Sequence, residues 1–415
     1  MFNLRNITFK FDVFTLNKKF EVFPLVVRKK FYRRIVLGIE TSCDDTGAAI
    51  VSEDGSLLGE AINSQTNIHV QAGGIVPPVA RNLHRDNIDG VVDEALSQAN
   101  LSLNDIDVVA TTIKPGLASC LSVGLQYTKN ILQRQHRRKQ FIPIHHMEAH
   151  ALTIRFINSI SFPYLVLLIS GGHSLLSVVR GVDDFVLLGR GIDDAPGEVF
   201  DKVARRLRLK DLPQCTNLSG GQSIEVVASG GNPFRYPLFP IMTRLADCNF
   251  SFSGLKSWAM RTIEEEELEQ GVLLCEGHIS NLADFCATFQ YMVFHHICRR
   301  VQRGLLFCGM KGLLGESVNN LVISGGVASN QCARLMMSQL CQHYDCHVLT
   351  PPPKLCTDNG IMVAWNGVEL LRANRRMYDD ASCFQVQPKC PLGVDLTHDV
   401  RSSCIKLPKI KLLNS

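Results

Sequence analysis

The sequence has no C-x-x-C pair, although cysteine itself is plentiful at 15 residues. With no paired spacing and an odd total, zinc-ribbon sites and a disulfide framework both fail, and reduced thiols in a cytosolic or matrix-type compartment fit better. No apolar run reaches the roughly 18 residues of a membrane span. Neither G-x-G-x-x-G nor G-x-x-x-x-G-K followed by Ser or Thr occurs, so the two best-known phosphate-cradling loops are excluded. The body of the chain also lacks a global positive field. Nine Lys or Arg against Asp12 and Glu21 give the first 34 residues a net charge of +7, while the whole chain is only +4, leaving −3 for residues 35–415. Any nucleic acid must then be held by local patches. The basic, acid-poor N-terminal stretch, interleaved with Phe, Leu and Val, reads as an organelle presequence over residues 1–34, with the mitochondrial matrix as its expected address.

What remains is an ordinary globular composition, 46% hydrophobic and 20% charged, in a chain long enough for two compact lobes. Ile35–Ile39, a polar turn at Glu40–Gly47 and Ala48–Val51 read as strand, turn and strand. The pattern recurs at Leu165–Ile169, Ser170–Ser174 and Leu175–Val179, which suggests a duplicated unit. Helical patterns at 84–98 and 119–133 alternate with apolar strands at 108–113 and 141–144, the signature of an α/β fold. Helices over 195–207, 282–303 and 330–342 and strands over 321–324 and 347–350 continue it. Segment 211–255, rich in Gly, Pro, Ser and Asn, reads as irregular. The acidic run Glu264–Glu267 reads as a solvated helix face.

Chemistry concentrates first in His146-Met147-Glu148-Ala149-His150. Two imidazoles four residues apart on a helix lie roughly 40° apart around its axis and can share one metal ion. Glu148 falls roughly 200° from His146, which weakens a metallopeptidase reading of the H-E-x-x-H kind. The best third ligand is Asp358, in Cys356-Thr357-Asp358-Asn359. Two histidines and a carboxylate suit zinc or ferrous iron and leave positions open for a substrate oxygen. Three glycine turns, at Ser170-Gly171-Gly172-His173, Ser219-Gly220-Gly221 and Ser324-Gly325-Gly326, can bring bare backbone N–H groups to a nucleotide. Two of them follow apolar strands, where ligands sit in open α/β sheets. Asp201, on the helix opened by Pro196, could meet ribose hydroxyls or a substrate amine, or serve in capping and salt bridging. Cys43 and Ser42 have no histidine beside them in sequence and suit positioning roles better than nucleophilic ones. Glu40, Asp44 or Asp45 could accept a proton, and the sequence does not choose among them. Basic clusters at 134–139, 205–210 and 299–303 are candidates for phosphate contact.

Gly38–Thr46, the His146–His150 box, Ser170–His173, Asp193–Arg205, Phe250–Lys256, Ser324–Asn330 and Cys356–Asn359 together resemble, in order and spacing over roughly residues 35–370, the motif series of the universal tRNA threonylcarbamoyladenosine transferase family, once labelled O-sialoglycoprotein endopeptidase. The resemblance implies a two-lobed actin-like, sugar-kinase-like fold, a duplicated ribonuclease-H-like architecture with an interlobe cleft. The first lobe would span 35–145, completed by about 366–415, and the second 146–365. It implies one divalent metal ion, zinc or iron, on His146, His150 and Asp358. Leu168, Ile169, Ser170, Gly171, Gly172, His173, Asp201, Gly221, Glu225, Ser329 and Asn330 would hold threonylcarbamoyl-adenylate supplied by a separate synthase. The group would pass to the exocyclic N6 amine of adenosine 37 in tRNAs that read codons starting with A, releasing AMP. The presequence resembles the mitochondrial branch, whose members act as homodimers. A metallopeptidase and an actin-like ATPase are the alternatives.

Overall fold

A computed structural model describes residues 33–71, 74–134, 137–242, 245–272, 277–315 and 319–413. The expected presequence lies outside them except for Arg33 and Arg34, and the Arg34 guanidinium already pairs with Glu53 at 3.0 Å. The first half runs β1 (Ile35–Glu40), β2 (Asp45–Ser52), β3 (Leu57–Ser64), α1 (Thr66–Gln71), α2 (Pro77–Ala99), β4 (Val108–Lys114), α3 (Ala118–Arg134) and β5 (Gln140–His145). Helices α4 (His146–Leu152) and α5 (Ile154–Ile157) lead to β6 (Tyr164–Ile169), β7 (Ser174–Val179) and β8 (Phe185–Arg190). Then come α6 (Pro196–Arg206), α7 (Gly220–Ala228), α8 (Ser253–Gln270) and α9 (Leu282–Lys311). The chain continues through β9 (Asn319–Ser324), α10 (Gln331–Gln342), β10 (Cys346–Leu349), α11 (Pro353–Cys356), α12 (Gly360–Arg372), β11 (Val394–Asp395) and α13 (Thr397–Ser402).

The two sheets are ordered β3-β2-β1-β4-β5 and β10-β9-β6-β7-β8-β11. In the first, β1 is antiparallel to β2 and parallel to β4. In the second, β6 is antiparallel to β7 and parallel to β9. Each is therefore an antiparallel meander of three strands whose first strand accepts two further parallel strands on its other side. The same topology used twice is the duplicated ribonuclease-H-like arrangement of actin-like proteins. Strands β1 and β6 lie centrally and are buried nearly throughout, as near-continuous apolar runs require when both faces are covered.

Two close approaches fix where the ligands end up. A Cβ on Gly38 in β1 would sit 2.3 Å from the backbone nitrogen of Ala364 in α12, and one on Gly360 would sit 2.3 Å from the carbonyl carbon of Ala48. Only glycine lets α12 press its backbone onto β1 and β2 this tightly. The start of α12, immediately after Asp358, is thereby held at the carboxyl end of β1, where Glu40 stands. Strand β5 ends at His145 and α4 begins at the next residue, so the imidazole pair leaves the first sheet and heads for β6 of the second.

Some expectations move. Helix α2 starts at Pro77 rather than at 84, with two prolines in its first turn, where their missing N–H groups cost nothing. The stretch 211–255 is not uniformly irregular: Ser219 and Gln222 form a reciprocal cap that starts α7. The acidic run is only partly solvated, because Glu267 is paired in bidentate fashion with Arg206 and Glu266 accepts the Tyr236 hydroxyl at 2.9 Å.

Candidate metal centre and adenylate cleft

His146 and His150 project from α4, 4% and 6% exposed, with ring centroids 4.6 Å apart. Asp358 Oδ1 lies 3.5 Å from His146 Nε2 and 3.0 Å from His150 Nε2. One ligand atom from each of the three residues falls within 4.8 Å of the others, close enough to surround a single ion. Two imidazole nitrogens and one carboxylate oxygen suit zinc or ferrous iron, so the donor set fits the metal expected from the sequence.

Behind His146 the structure shows a support the sequence did not disclose. Its Nδ1 lies 3.4 Å from Glu40 Oε2 and 3.1 Å from Ser42 Oγ. Glu40 is fully buried and also accepts from the Ser42 amide at 2.6 Å and the Thr112 hydroxyl at 2.5 Å. A carboxylate holding the far nitrogen of a ligating imidazole fixes its tautomer and leaves the near lone pair for the metal. A histidine therefore does stand beside Ser42, in space though not in sequence. Burial alone would lower the His146 pKa, but Asp358 and Glu40 outweigh it and raise it to about 9. Burial likewise works to raise Asp358, yet the two imidazoles hold its carboxyl well below the usual range. The Cys43 thiol is pushed far up by burial and by Asp44, which rules out a ready thiolate. Burial also pushes Asp45 up, to about 7, and its Oδ1 has no hydrogen-bond partner among the described residues.

The glycine turns lie next to this centre. Strands β6 and β9 pair with Leu168 opposite Ser324, so both turns leave the same edge of the sheet. Gly325, at φ +103°, presses so close to Ile169 that a Cβ would stand 2.2 Å from its carbonyl oxygen. The Ser170–His173 turn is closed by Ser170 N–H donating to the His173 carbonyl at 2.9 Å, and Gly171 and Gly172 face open space. The His173 ring is 6.2 Å from that of His146, so the Ser170–His173 turn stands beside the candidate metal centre. Burial, then His146, depresses His173 to about 4 and keeps it neutral. Asp201 accepts from the Gly220 and Gly221 amides at the start of α7. A Cβ on Gly220 would sit 2.4 Å from Asp201 Oδ1. Glu225 accepts from the Gln331 amide at 2.8 Å, beside Ser329 and Asn330; Asn330 caps α10 and donates to Gln290 at 2.8 Å.

Other features are taken up elsewhere. Glu148 faces away from the ligands and binds Arg376 at 2.6 and 3.2 Å, which removes it as a peptidase base. The basic clusters are largely engaged. Arg137 pairs with Asp107, Arg138 with Asp379 and Arg208 with Asp211, while Lys139 is buried against the Ile106 carbonyl. Arg300 and Arg303 are 3% and 7% exposed; Arg300 binds the carbonyls of Met242, Leu245 and Asp247, and Arg303 that of Asp247. Residues 135 and 136 lie outside the described residues.

The family model for tRNA N6-adenosine threonylcarbamoyltransferase matches residues 56–365. The mitochondrial tRNA N6-adenosine threonylcarbamoyltransferase of Mus musculus is 48% identical over 404 residues, covering 97% of this chain and 96% of its own. The Homo sapiens protein of the same name is 50% identical over 383 residues, covering 92% of each chain. Among solved structures, full-length HypF in its phosphate- and nucleotide-bound form is a distant likeness, with a TM-score of 0.48 and 13% identity over 81% of this chain and 56% of its own. The family-model match over residues 56–365 and the 48–50% identity to these two mitochondrial relatives along almost the whole length make the chain a member of the tRNA N6-adenosine threonylcarbamoyltransferase family, in its mitochondrial branch.

Proposed function

We propose that the protein transfers the threonylcarbamoyl group of threonylcarbamoyl-adenylate to N6 of adenosine 37 in mitochondrial tRNAs that read codons starting with A, and that it needs one divalent ion, zinc or iron, to do so. The observation that carries this reading is the convergence of His146, His150 and Asp358 within 4.8 Å, with His173 of the Ser170–His173 glycine turn 6.2 Å ring to ring from His146. An ion bound there with open positions supplies a Lewis acid for the oxygens of the mixed anhydride.

The chain's own residues do the rest. Amides of the 170–172 turn and the Gly325 turn face the donor's phosphate and carbonyl oxygens, and Asp201 and Glu225 hold its ribose. The donor is already activated, so orientation against a weak aromatic amine is the main task. The N6–carbon bond forms as the carbon–oxygen bond to phosphate breaks, AMP leaves with the electron pair, and the N6 proton goes to a carboxylate. Glu40 has both oxygens engaged behind His146. Asp45, raised to about 7 with one unpartnered oxygen, is the group matched to accept a proton near neutral pH. Self-association belongs to the same reading: five exposed aliphatic residues, Ile62, Ile68, Ile75, Val76 and Val79, fall within one short stretch of chain and suit a second copy of the protein.

The test is to incubate purified protein with threonylcarbamoyl-adenylate and unmodified tRNA and to quantify the modified nucleoside. Replacement of His146 or Asp358 by Ala should abolish transfer and leave the circular dichroism spectrum intact. Full activity in either variant would refute the metal-dependent mechanism.

A further inference from the structure

Beyond α12 the chain forms a strap across both sheets, and all of it lies past the end of the family-model match at residue 365. Tyr378 exchanges backbone hydrogen bonds with Phe141 of β5, and Gln387 donates to the Ile113 carbonyl at 2.9 Å. Further on, β11 pairs with β8 of the other sheet. The strap also grips α4 twice, once just before its first anchor and once between the last two. His145, the residue that caps α4, accepts from the Met147 amide through Nδ1 at 3.2 Å, so its proton stands on Nε2 and is donated to the Cys390 carbonyl at 3.3 Å. Arg376 forms a two-pronged pair with Glu148, whose side chain is 6% exposed. Glu148 sits midway between the ligating histidines on the opposite side of their helix.

A seven-residue helix is too short to hold its own orientation. Its rotation about the axis decides where both imidazoles point, and a planar guanidinium fork bound through both prongs resists that rotation. We propose that Arg376 and Glu148 are a positioning pair, through which the C-terminal strap sets the angle of α4 and hence the spacing of His146 and His150 from Asp358. The inference rests on the metal-centre reading above and assigns Glu148 a purpose other than catalysis.

Cobalt(II) titration of the metal-free full chain tests it, because the visible absorption bands report ligand geometry without any turnover. Arg376→Ala should weaken cobalt binding about tenfold or more and shift the bands, the range expected when support behind a metal ligand is lost, and Arg376→Lys should recover part of the affinity. Lys129→Ala removes strap contacts of α3 to the Ser382 and Phe384 carbonyls, which involve neither α4 nor Arg376. It should lower the melting temperature and leave affinity and bands unchanged. Should Arg376→Ala fail to fold, Glu148→Gln, which keeps the shape and loses the charge, must show the same weakened binding. Cobalt affinity within twofold of the parent in Arg376→Ala or Glu148→Gln, or an equal loss in Lys129→Ala, would overturn the positioning pair while leaving the metal centre standing. No stoichiometric cobalt binding by the parent protein would bring down both.

Discussion

Replacing Glu40 by glutamine changes a single oxygen to an amide, and the structure dictates which one. Oε1 accepts the Ser42 amide at 2.6 Å, so the new NH2 group cannot occupy that position without setting donor against donor. It must take the Oε2 position, which faces the Thr112 hydroxyl and His146 Nδ1. A hydroxyl can rotate to accept, but Nδ1 then has to accept as well, and the imidazole proton is driven to Nε2, the nitrogen directed at Asp358. The tautomer is wrong for ligation. Loss of support behind a ligating histidine costs about 10–100-fold in metal affinity, roughly 1.4–2.8 kcal/mol. A forced tautomer places Glu40→Gln at the upper end. Shape and volume are retained, so the melting temperature of the metal-free protein should hardly move. Zinc affinity, measured by competition with a chromophoric chelator, should fall by about two orders of magnitude, and transfer activity at limiting zinc should fall with it. Affinity within twofold of the parent would show that Glu40 does not set the His146 tautomer.

Gly38→Ala puts a methyl group 2.3 Å from the Ala364 backbone nitrogen and should destabilise the fold by about 3 kcal/mol, the upper end for overpacking; an unchanged urea midpoint would refute the tight seating of α12 on β1. Gly220→Ala crowds Asp201 Oδ1 and should raise KM for the adenylate donor with little effect on kcat, whereas an unchanged KM would remove Asp201 from the ribose site. His296, packed at right angles against Phe250 and Phe252 and lowered to about 3 by burial and then by Arg300, is kept neutral in the fold but free to protonate near 6.5 once unfolded. The unfolded state then binds more protons below that value, so stability should fall as pH drops from about 6.5 toward 3, by about 1.4 kcal/mol per unit from this one group. His296→Gln should flatten the slope of urea stability against pH in that window, and an identical slope would show that this histidine does not contribute.

The parts legible in the sequence were those written in local periodicity. Apolar runs marked the strands, and the i, i+4 spacing of His146 and His150 already contained their common face. Asp358 could be named only as a best candidate, because what brings it to the imidazoles is the glycine-to-backbone contact between α12 and β1. Helix α7 was obscured by its own Gly-Gly opening, although the Ser219–Gln222 cap was a readable start signal. The role of Glu40 and the fate of the basic clusters were not legible at all. Arg138 meets Asp379 across 241 positions of sequence and Glu40 meets His146 across 106. A positive cluster in a sequence says nothing about the carboxylates that folding will set against it.

The separation of the ligands along the chain has a further consequence for biogenesis. His150 and Asp358 are 208 residues apart, on opposite sides of the second meander. On the proposed metal-centre reading, the imidazole pair emerges during synthesis or import long before its carboxylate, and by itself it is only a bidentate chelate. On that same reading, firm capture of an ion would wait until α12 has docked on β1 and brought Asp358 to the imidazoles, so a chain truncated before that helix would lack the third donor.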